Sequence, residues 1–131
     1  MIGLDTNVLL RYLTQDDPPQ AKLADQRIDR LDAGDNRGFI NSVVLCETLW
    51  VLAKGYHYSR TDIDKVVDQL LLTREFEMEN RSLVWAALHD FRDGAADFAD
   101  CLIGRINTAA GCAKTITFDR GAGKLPGFEV L

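Results

Sequence analysis

The order of apolar and polar residues divides the chain into short apolar or alternating runs and longer segments in which apolar residues recur with helical spacing. The short runs predict β-strands over residues 1–5, 38–40, 75–79, 114–119 and 128–131. The longer segments predict helices over residues 7–13, 16–34, 41–55, 59–73, 80–94 and 96–112. The strands alternate with helices, which mostly come in pairs between successive strands. This pattern predicts an α/β sandwich with a mainly parallel central sheet.

The same periodicity identifies the residues expected to face the core. The segment 59–73 has one continuous apolar face, and so does the segment 80–94. The predicted inward residues are Ala24, Ile28, Leu31, Ile63, Val66, Val67, Leu70, Leu71, Val84, Ala87, Leu88 and Phe91.

Length and composition indicate an ordinary soluble domain. The chain has 131 residues, 47% hydrophobic and 27% charged, which suits one domain spanning residues 1–131. No run approaches the roughly 20 apolar residues of a membrane helix. The three cysteines lack C-x-x-C spacing and stand in apolar helical contexts, so buried reduced thiols and a cytoplasmic location are expected. The net charge of −5 argues against a general nucleic-acid binder, but not against an enzyme whose carboxylates hold cations.

Two acids stand at the ends of predicted strands. Asp5 ends the first strand and Asp119 follows the apolar run "TITF". In parallel α/β sheets, sites form outside the carboxyl ends of the strands, so both acids are expected at that edge. Each acid also has a simpler interpretation: Asp5 as the cap of the helix that begins near Asn7, and Asp119 as a turn residue in "FDRGAG".

Three further acids lie on predicted helices. Glu47 stands in a helix that is apolar nearly all round, which predicts a buried carboxylate that must pair, protonate or bind a cation. A structural salt bridge is the alternative. Asp97 and Asp100 lie about 60° apart in the first turn of a late helix, where the helix dipole favours negative charge. Asp97 could therefore be only a helix cap.

A shared cation would explain the acids together. Carboxylates brought close to one another repel unless a cation joins them. Oxygen-only ligands select hard ions, so Mg²⁺ or Mn²⁺ is expected. The residues His57 and His89 are isolated in the sequence, and no His or Cys cluster offers a zinc site.

At this point the residues resemble the PIN-domain nucleases, and in particular the VapC group of toxin–antitoxin ribonucleases. The resemblance rests on "GLDTNVLL" at the start, Glu47 within an apolar helix, "DFADCLIG" opening a late helix, and "TFD" on a late strand. These motifs span nearly the whole chain, in order and with suitable spacing. The resemblance implies a three-layer α/β/α PIN-like sandwich whose mainly parallel central sheet has four to five short strands.

The resemblance also implies a function and a set of site residues. It implies a metal-dependent endoribonuclease that hydrolyses RNA phosphodiester bonds with Mg²⁺ or Mn²⁺, pairs into homodimers, and is neutralised by a cognate VapB-like antitoxin, in some cases within a larger toxin–antitoxin hetero-oligomer. The implied acidic quartet is Asp5, Glu47, Asp100 and Asp119, with Asp97 as a further acid and with Asn7 and Thr117 as auxiliary polar positions. All five acids are candidate metal ligands. The alternative is a non-catalytic PIN-like binding module that acts in a toxin–antitoxin repressor complex.

Other assignments concern the surface and rival folds. Basic residues that could contact RNA phosphates are Arg11, Lys54, Arg105, Lys114, Arg120 and Lys124, although the more common role of any one such residue is that of a solvated surface charge. Residues that could serve a partner interface are Trp50, Tyr56, Leu70, Leu71, Leu72 and Trp85, although apolar residues at helical spacing usually belong to the core. A phosphoacceptor-aspartate fold would require a second acid close to Asp5, and the sequence "DTN" has none.

Overall fold

The computed structural model describes residues 1–131 and contains five short strands, six α-helices and one 3-10 turn. The chain divides into two units, Met1–Asn80 and Arg81–Leu131, and each unit has its own parallel sheet. The α/β class and the short parallel strands are therefore confirmed. The hydrogen bonds differ from the prediction of one central sheet, because the ladders are only two or three residue pairs long and join the strands in groups of three and two. The single domain over residues 1–131 stays a prediction.

The first unit contains seven elements around a three-stranded sheet. They are β1 (Ile2–Gly3), α1 (Thr6–Thr14), α2 (Pro18–Ile28), β2 (Gly38–Ile40), α3 (Ser42–Gly55), α4 (Arg60–Leu72) and β3 (Phe76–Met78). The strands are parallel in the order β1-β2-β3, with Gly38 opposite both Ile2 and Phe76. Helix α1 packs against α2 and α3, so the polar residues that follow β1 are held beside helices on the same unit.

Side-chain caps fix where three of these helices begin. Asp17 precedes the prolines of α2 and accepts a hydrogen bond from the Gln20 backbone N–H at 3.1 Å. Asn41 caps α3 by accepting from the backbone N–H of Val44 at 2.8 Å. Ser59 and Asp62 form a reciprocal capping box at the start of α4.

Helix α2 ends at Ile28, whereas the sequence predicted that it continues to Gly34. The Asp32 carboxylate accepts hydrogen bonds from the backbone N–H of Gly34 at 2.8 Å and of Asn36 at 3.4 Å. An aspartate that binds the following backbone in this way competes with helical hydrogen bonds. Leu31 is nevertheless buried as predicted, because the turn after α2 still faces the core.

Thr48 is the one buried polar side chain of α3 that lacks a partner. Its side chain is fully buried and its hydroxyl makes no hydrogen bond. Burying an unpaired hydroxyl is unfavourable, so Thr48→Val is expected to raise the free energy of unfolding by about 1 kcal/mol. Urea denaturation followed by circular dichroism measures the change.

A matched threonine provides the control for that experiment. The Thr14 hydroxyl of α1 lies 2.8 Å from the Leu10 carbonyl oxygen and 2.7 Å from the Asp16 carboxylate, and its single proton is shared between these two acceptors. Thr14→Val should therefore lower stability, since it leaves both acceptors without this donor. If Thr48→Val also lowers stability, the Thr48 hydroxyl has a partner and the prediction is wrong.

The second unit contains two helices and a two-stranded sheet. They are α5 (Arg81–Asp93), α6 (Phe98–Ala109), β4 (Thr115–Thr117), the 3-10 turn (Ala122–Lys124) and β5 (Phe128–Val130). Helices α5 and α6 pack against each other, and Arg105 of α6 donates two 2.7 Å hydrogen bonds to the Asp90 carboxylate of α5. Strands β4 and β5 are parallel, with Thr115 opposite Phe128.

The predicted core residues of both units are buried, with one exception. The four inward residues of α5 are all 5% exposed or less, and those of α4 are equally buried apart from Val66, which is half-buried. None of the six helices combines the length and apolar character needed to cross a membrane.

Candidate active site

Asp5 occupies the position predicted for it, between β1 and α1, and its carboxylate is exposed. It is the N-cap residue of α1, with the extended backbone angles φ −86° and ψ 158°. Its side chain nevertheless makes no capping hydrogen bond. The alternative that Asp5 serves only to cap α1 is therefore not supported, and both carboxylate oxygens are available to a ligand.

Glu47 is exposed, so the prediction of a buried carboxylate in an apolar helix is wrong. The buried residues of α3 are Val44, Leu45, Thr48, Leu49 and Leu52, which form one face. Apolar residues continue onto the outer face, where Val43 is 76% exposed and Trp50 is 64% exposed. Glu47 takes part in none of the chain's ion pairs, so the structural salt bridge is not supported either.

Asp97 and Asp100 both lie at the beginning of α6. Asp97 is the exposed N-cap residue, but its side chain, like that of Asp5, makes no capping hydrogen bond. Asp100 is half-buried in the first turn. Its pKa is raised, first by partial burial and then by the negative charges of Asp119 and Asp97. Asp97 and Asp119 therefore lie close enough to Asp100 for their charges to disfavour its ionised form.

Asp119 has a structural role as well as an exposed carboxylate. Its Oδ1 accepts a hydrogen bond from the backbone N–H of Ala122 at 3.0 Å, and this contact organises the 3-10 turn. Its own backbone N–H donates to the Thr117 hydroxyl at 3.0 Å. The turn interpretation is thus confirmed for one oxygen. Thr117 fixes the backbone that bears the acid, which is the kind of contact expected of an orienting residue.

Asn7, the other auxiliary position, does not behave as expected. An auxiliary polar residue would be expected to hydrogen-bond one of the acids, but Asn7 is exposed near the start of α1 and its side chain makes no such bond. Its side chain instead lines an apolar groove of about 320 Å³ between α1 and α2, beside Val8 and Leu23.

The chemical type of the candidate ligands suits a hard divalent cation. All candidate ligands are carboxylate oxygens. A cation would offset both effects that raise the pKa of Asp100, namely its partial burial and the negative charges of Asp119 and Asp97. No three Asp, Glu, His or Cys side chains of the chain are grouped in a way that could hold a metal ion as they stand. The second unit supplies Asp97, Asp100 and Asp119, whereas Asp5 and Glu47 belong to the first unit.

Half of the basic residues predicted to contact RNA are engaged within the protein. Arg11 donates to Asp16 and Gln20, Arg105 is bound to Asp90, and Lys114 pairs with Glu129. The Asp16 pKa is lowered by hydrogen bonds from the hydroxyls of Tyr56 and Thr14 and by the charge of Arg11. The exposed side chains that remain are Lys54, Arg120 and Lys124.

The predicted interface residues divide into core and surface. Leu70 and Leu71 are at most 1% exposed and belong to the core, whereas Leu72 is 63% exposed. Tyr56 donates its hydroxyl to Asp16, and Trp85 is half-buried.

Sequence reasoning missed an apolar surface on the second unit. Ile116 is 62% exposed and Phe118 is 83% exposed. Their alternation with Thr115 and Thr117 was the signal that could have shown it, because residues two apart share a face of a strand.

The three cysteines differ in burial. Cys101 is buried, Cys46 is half-buried with a pKa raised by burial, and Cys112 is exposed. All three are free thiols. The expectation of buried thiols is therefore wrong for Cys112, which lies beyond the end of α6 rather than within it.

Comparison with known proteins yields two matches that span both units. Residues 2–127 match the family model described as "PIN domain". A protein of Aquifex aeolicus (strain VF5) named "VapC ribonuclease" is 27% identical over 128 residues, which cover 98% of this chain and 93% of that protein. Both matched regions include all seven predicted site residues.

Proposed function

Because the chain belongs to the PIN-domain family, we propose that it is a VapC-like endoribonuclease that hydrolyses RNA phosphodiester bonds with the help of Mg²⁺ or Mn²⁺. The observation that carries the proposal is the placement of three acids in the second unit: Asp97 and Asp100 lie at the start of α6, and Asp119 follows β4. The pKa of Asp100 is raised first by its partial burial and then by the charges of Asp119 and Asp97. Such perturbed acids concentrate at functional sites. A relative named as a ribonuclease and matched over 98% of the chain supports the same conclusion.

The proposed metal ligands are Asp5, Asp100 and Asp119, with Glu47 and Asp97 holding a second ion or orienting the attacking water. A bound divalent ion supplies charge that acidifies water and neutralises phosphate oxygens. The chain's own residues provide the rest. Thr117 holds the backbone of Asp119, whose Oδ1 is bound to the Ala122 N–H, so Oδ2 is the oxygen left for a ligand. The half-buried position of Asp100 strengthens its attraction for a cation.

The proposal includes partners and location. RNA is the substrate, a VapB-like antitoxin neutralises the enzyme, and two copies form a homodimer in the cytoplasm. Of the basic residues, the exposed Lys54, Arg120 and Lys124 are the ones available to contact phosphates.

The test is cleavage of a total cellular RNA pool by the purified protein with EDTA, Mg²⁺ or Mn²⁺. Cleavage at internal positions with either metal, and none with EDTA, is expected. Cleavage that persists in EDTA would contradict metal dependence, because the acids alone cannot supply the cation's charge.

A non-catalytic PIN-like binding module in a repressor complex remains the second candidate function. One observation favours it, namely that no three potential ligands stand together in a metal-holding group. Calorimetric titration with Mn²⁺ separates the two candidates. The nuclease proposal expects binding that competes with Mg²⁺, whereas the module alone expects neither binding nor cleavage.

A further inference from the structure

Trp50 is one of only two aromatic residues whose side chains are exposed, the other being Phe118. An indole is among the largest apolar groups a protein can bury, and leaving it in water forgoes that stabilisation. Trp50 is 64% exposed on a helix whose opposite face is fully packed. Its exposure is therefore not explained by the fold.

The exposed face of α3 around Trp50 carries one acid and one base, and it also includes the exposed Val43. Glu47 stands three residues before it and Lys54 four residues after it, and all three side chains are exposed. Residues spaced by three and four lie on the same face of a helix. With a rise of about 1.5 Å per residue, the three positions follow one another within about 11 Å along the helix axis.

We propose that Trp50 is a positioning residue that stacks on an unpaired base of the RNA, next to the nucleotide bound at Glu47, with Lys54 contacting a neighbouring phosphate. The inference rests on the proposed ribonuclease function and adds a binding residue to it. The order of the three side chains along the helix face corresponds to three parts of an RNA strand. Glu47 would face the phosphate that is cleaved with metal help, Trp50 would stack on a base, and Lys54 would contact the next backbone phosphate.

The net charge of the protein makes a contribution to RNA binding that does not depend on charge important. A chain of net charge −5 that carries exposed acids gains little from overall electrostatic attraction to RNA. Stacking on an aromatic ring is independent of charge and tolerant of base identity. Each stacked base contributes about 1–3 kcal/mol to binding. Since 1.4 kcal/mol corresponds to a factor of ten, this contribution raises the affinity about 5- to 140-fold.

The test compares kinetic constants of three variants on a single-stranded oligonucleotide that the wild type cleaves. Trp50→Leu keeps apolar bulk but removes the aromatic face, and we expect KM to rise about 5- to 140-fold with kcat nearly unchanged. Trp50→Phe should restore most of the affinity. Leu72→Ala, at a site of α4 with the same exposure, is the control and should leave KM unchanged. An unchanged KM for Trp50→Leu would overturn the proposal while leaving the nuclease function intact.

Fluorescence separates the stacking proposal from the proposed function. The chain has two tryptophans, so Trp85→Phe leaves Trp50 as the sole indole, and Asp100→Asn prevents cleavage during the titration. Single-stranded RNA should quench the Trp50 fluorescence strongly, and the same sequence in a duplex should not. If the wild type cleaves no RNA, quenching by the single strand still supports stacking, and its absence overturns it. The oligomeric states of the wild type and Trp50→Leu are then compared by analytical ultracentrifugation. If the wild type self-associates and Trp50→Leu does not, Trp50 belongs to a contact between two copies of the protein, and the stacking proposal is overturned.

Discussion

Asp100→Asn is expected to lower the rate of RNA cleavage by at least about a hundredfold, while the melting temperature stays the same or rises. The loss of activity follows from removing a charged ligand at the centre of the acidic group, where preorganised electrostatic groups are worth about 10²–10³-fold each. The stability effect has the opposite sign. Asp100 is partly desolvated and repelled by Asp119 and Asp97, so a neutral amide relieves an unfavourable interaction in the folded protein.

The experiment needs a control that makes the same change in net charge. Asp93→Asn serves, because Asp93 is 71% exposed on α5 of the same unit and pairs only with the exposed His89. Cleavage rate, Mn²⁺ affinity by calorimetry and thermal unfolding are measured for both variants. The prediction fails if Asp100→Asn retains full cleavage, or if it loses cleavage only because its melting temperature falls well below that of Asp93→Asn.

The helices could be predicted closely where capping and periodicity agree. Helix α4 was expected over 59–73 and spans Arg60–Leu72, because the Ser59–Asp62 capping box fixes its start and the apolar period fixes its face. Helix α2 was predicted too long, since the periodicity of Ile28 and Leu31 continues past the point where Asp32 redirects the backbone. Competition between a side chain and a helical hydrogen bond has no signature in the apolar pattern.

The sequence shows which residues are candidates for the site and in which order they occur along the chain. It does not show how buried each side chain is or what it contacts. Asp5 and Asp97 have the residue type and the backbone angles of helix caps, yet neither side chain caps its helix, because that depends on the rotamer chosen. Glu47 was expected to be buried because α3 is apolar nearly all round. Which side of such a helix faces solvent is decided by its packing partners, and the outer position of Trp50 shows that composition alone does not reveal it.

Gly104→Ala is expected to lower the free energy of unfolding by up to about 2 kcal/mol, although helix propensity predicts the opposite. Alanine in a helix interior is favoured over glycine by about 1 kcal/mol. A Cβ at Gly104 of α6, however, would stand 2.4 Å from Cε1 and 3.2 Å from Cζ of the Phe128 ring on β5. Overpacking of this kind typically costs about 1–3 kcal/mol, so the steric term exceeds the gain in propensity. Urea denaturation of the variant measures the net change.

Two further variants identify the ring contact as the cause. Gly55→Ala at the end of α3 meets only an ordinary contact of 3.7 Å to Val51, so it should be neutral or stabilising. In a Phe128→Leu background the smaller side chain leaves room for the new methyl group, and Gly104→Ala should then become neutral or favourable. The resulting coupling energy of about 1–2 kcal/mol lies within the range seen for residues in direct contact. If Gly104→Ala stabilises the wild-type background instead, the Phe128 ring moves aside at little cost, and its contact with Gly104 does not fix β5 against α6.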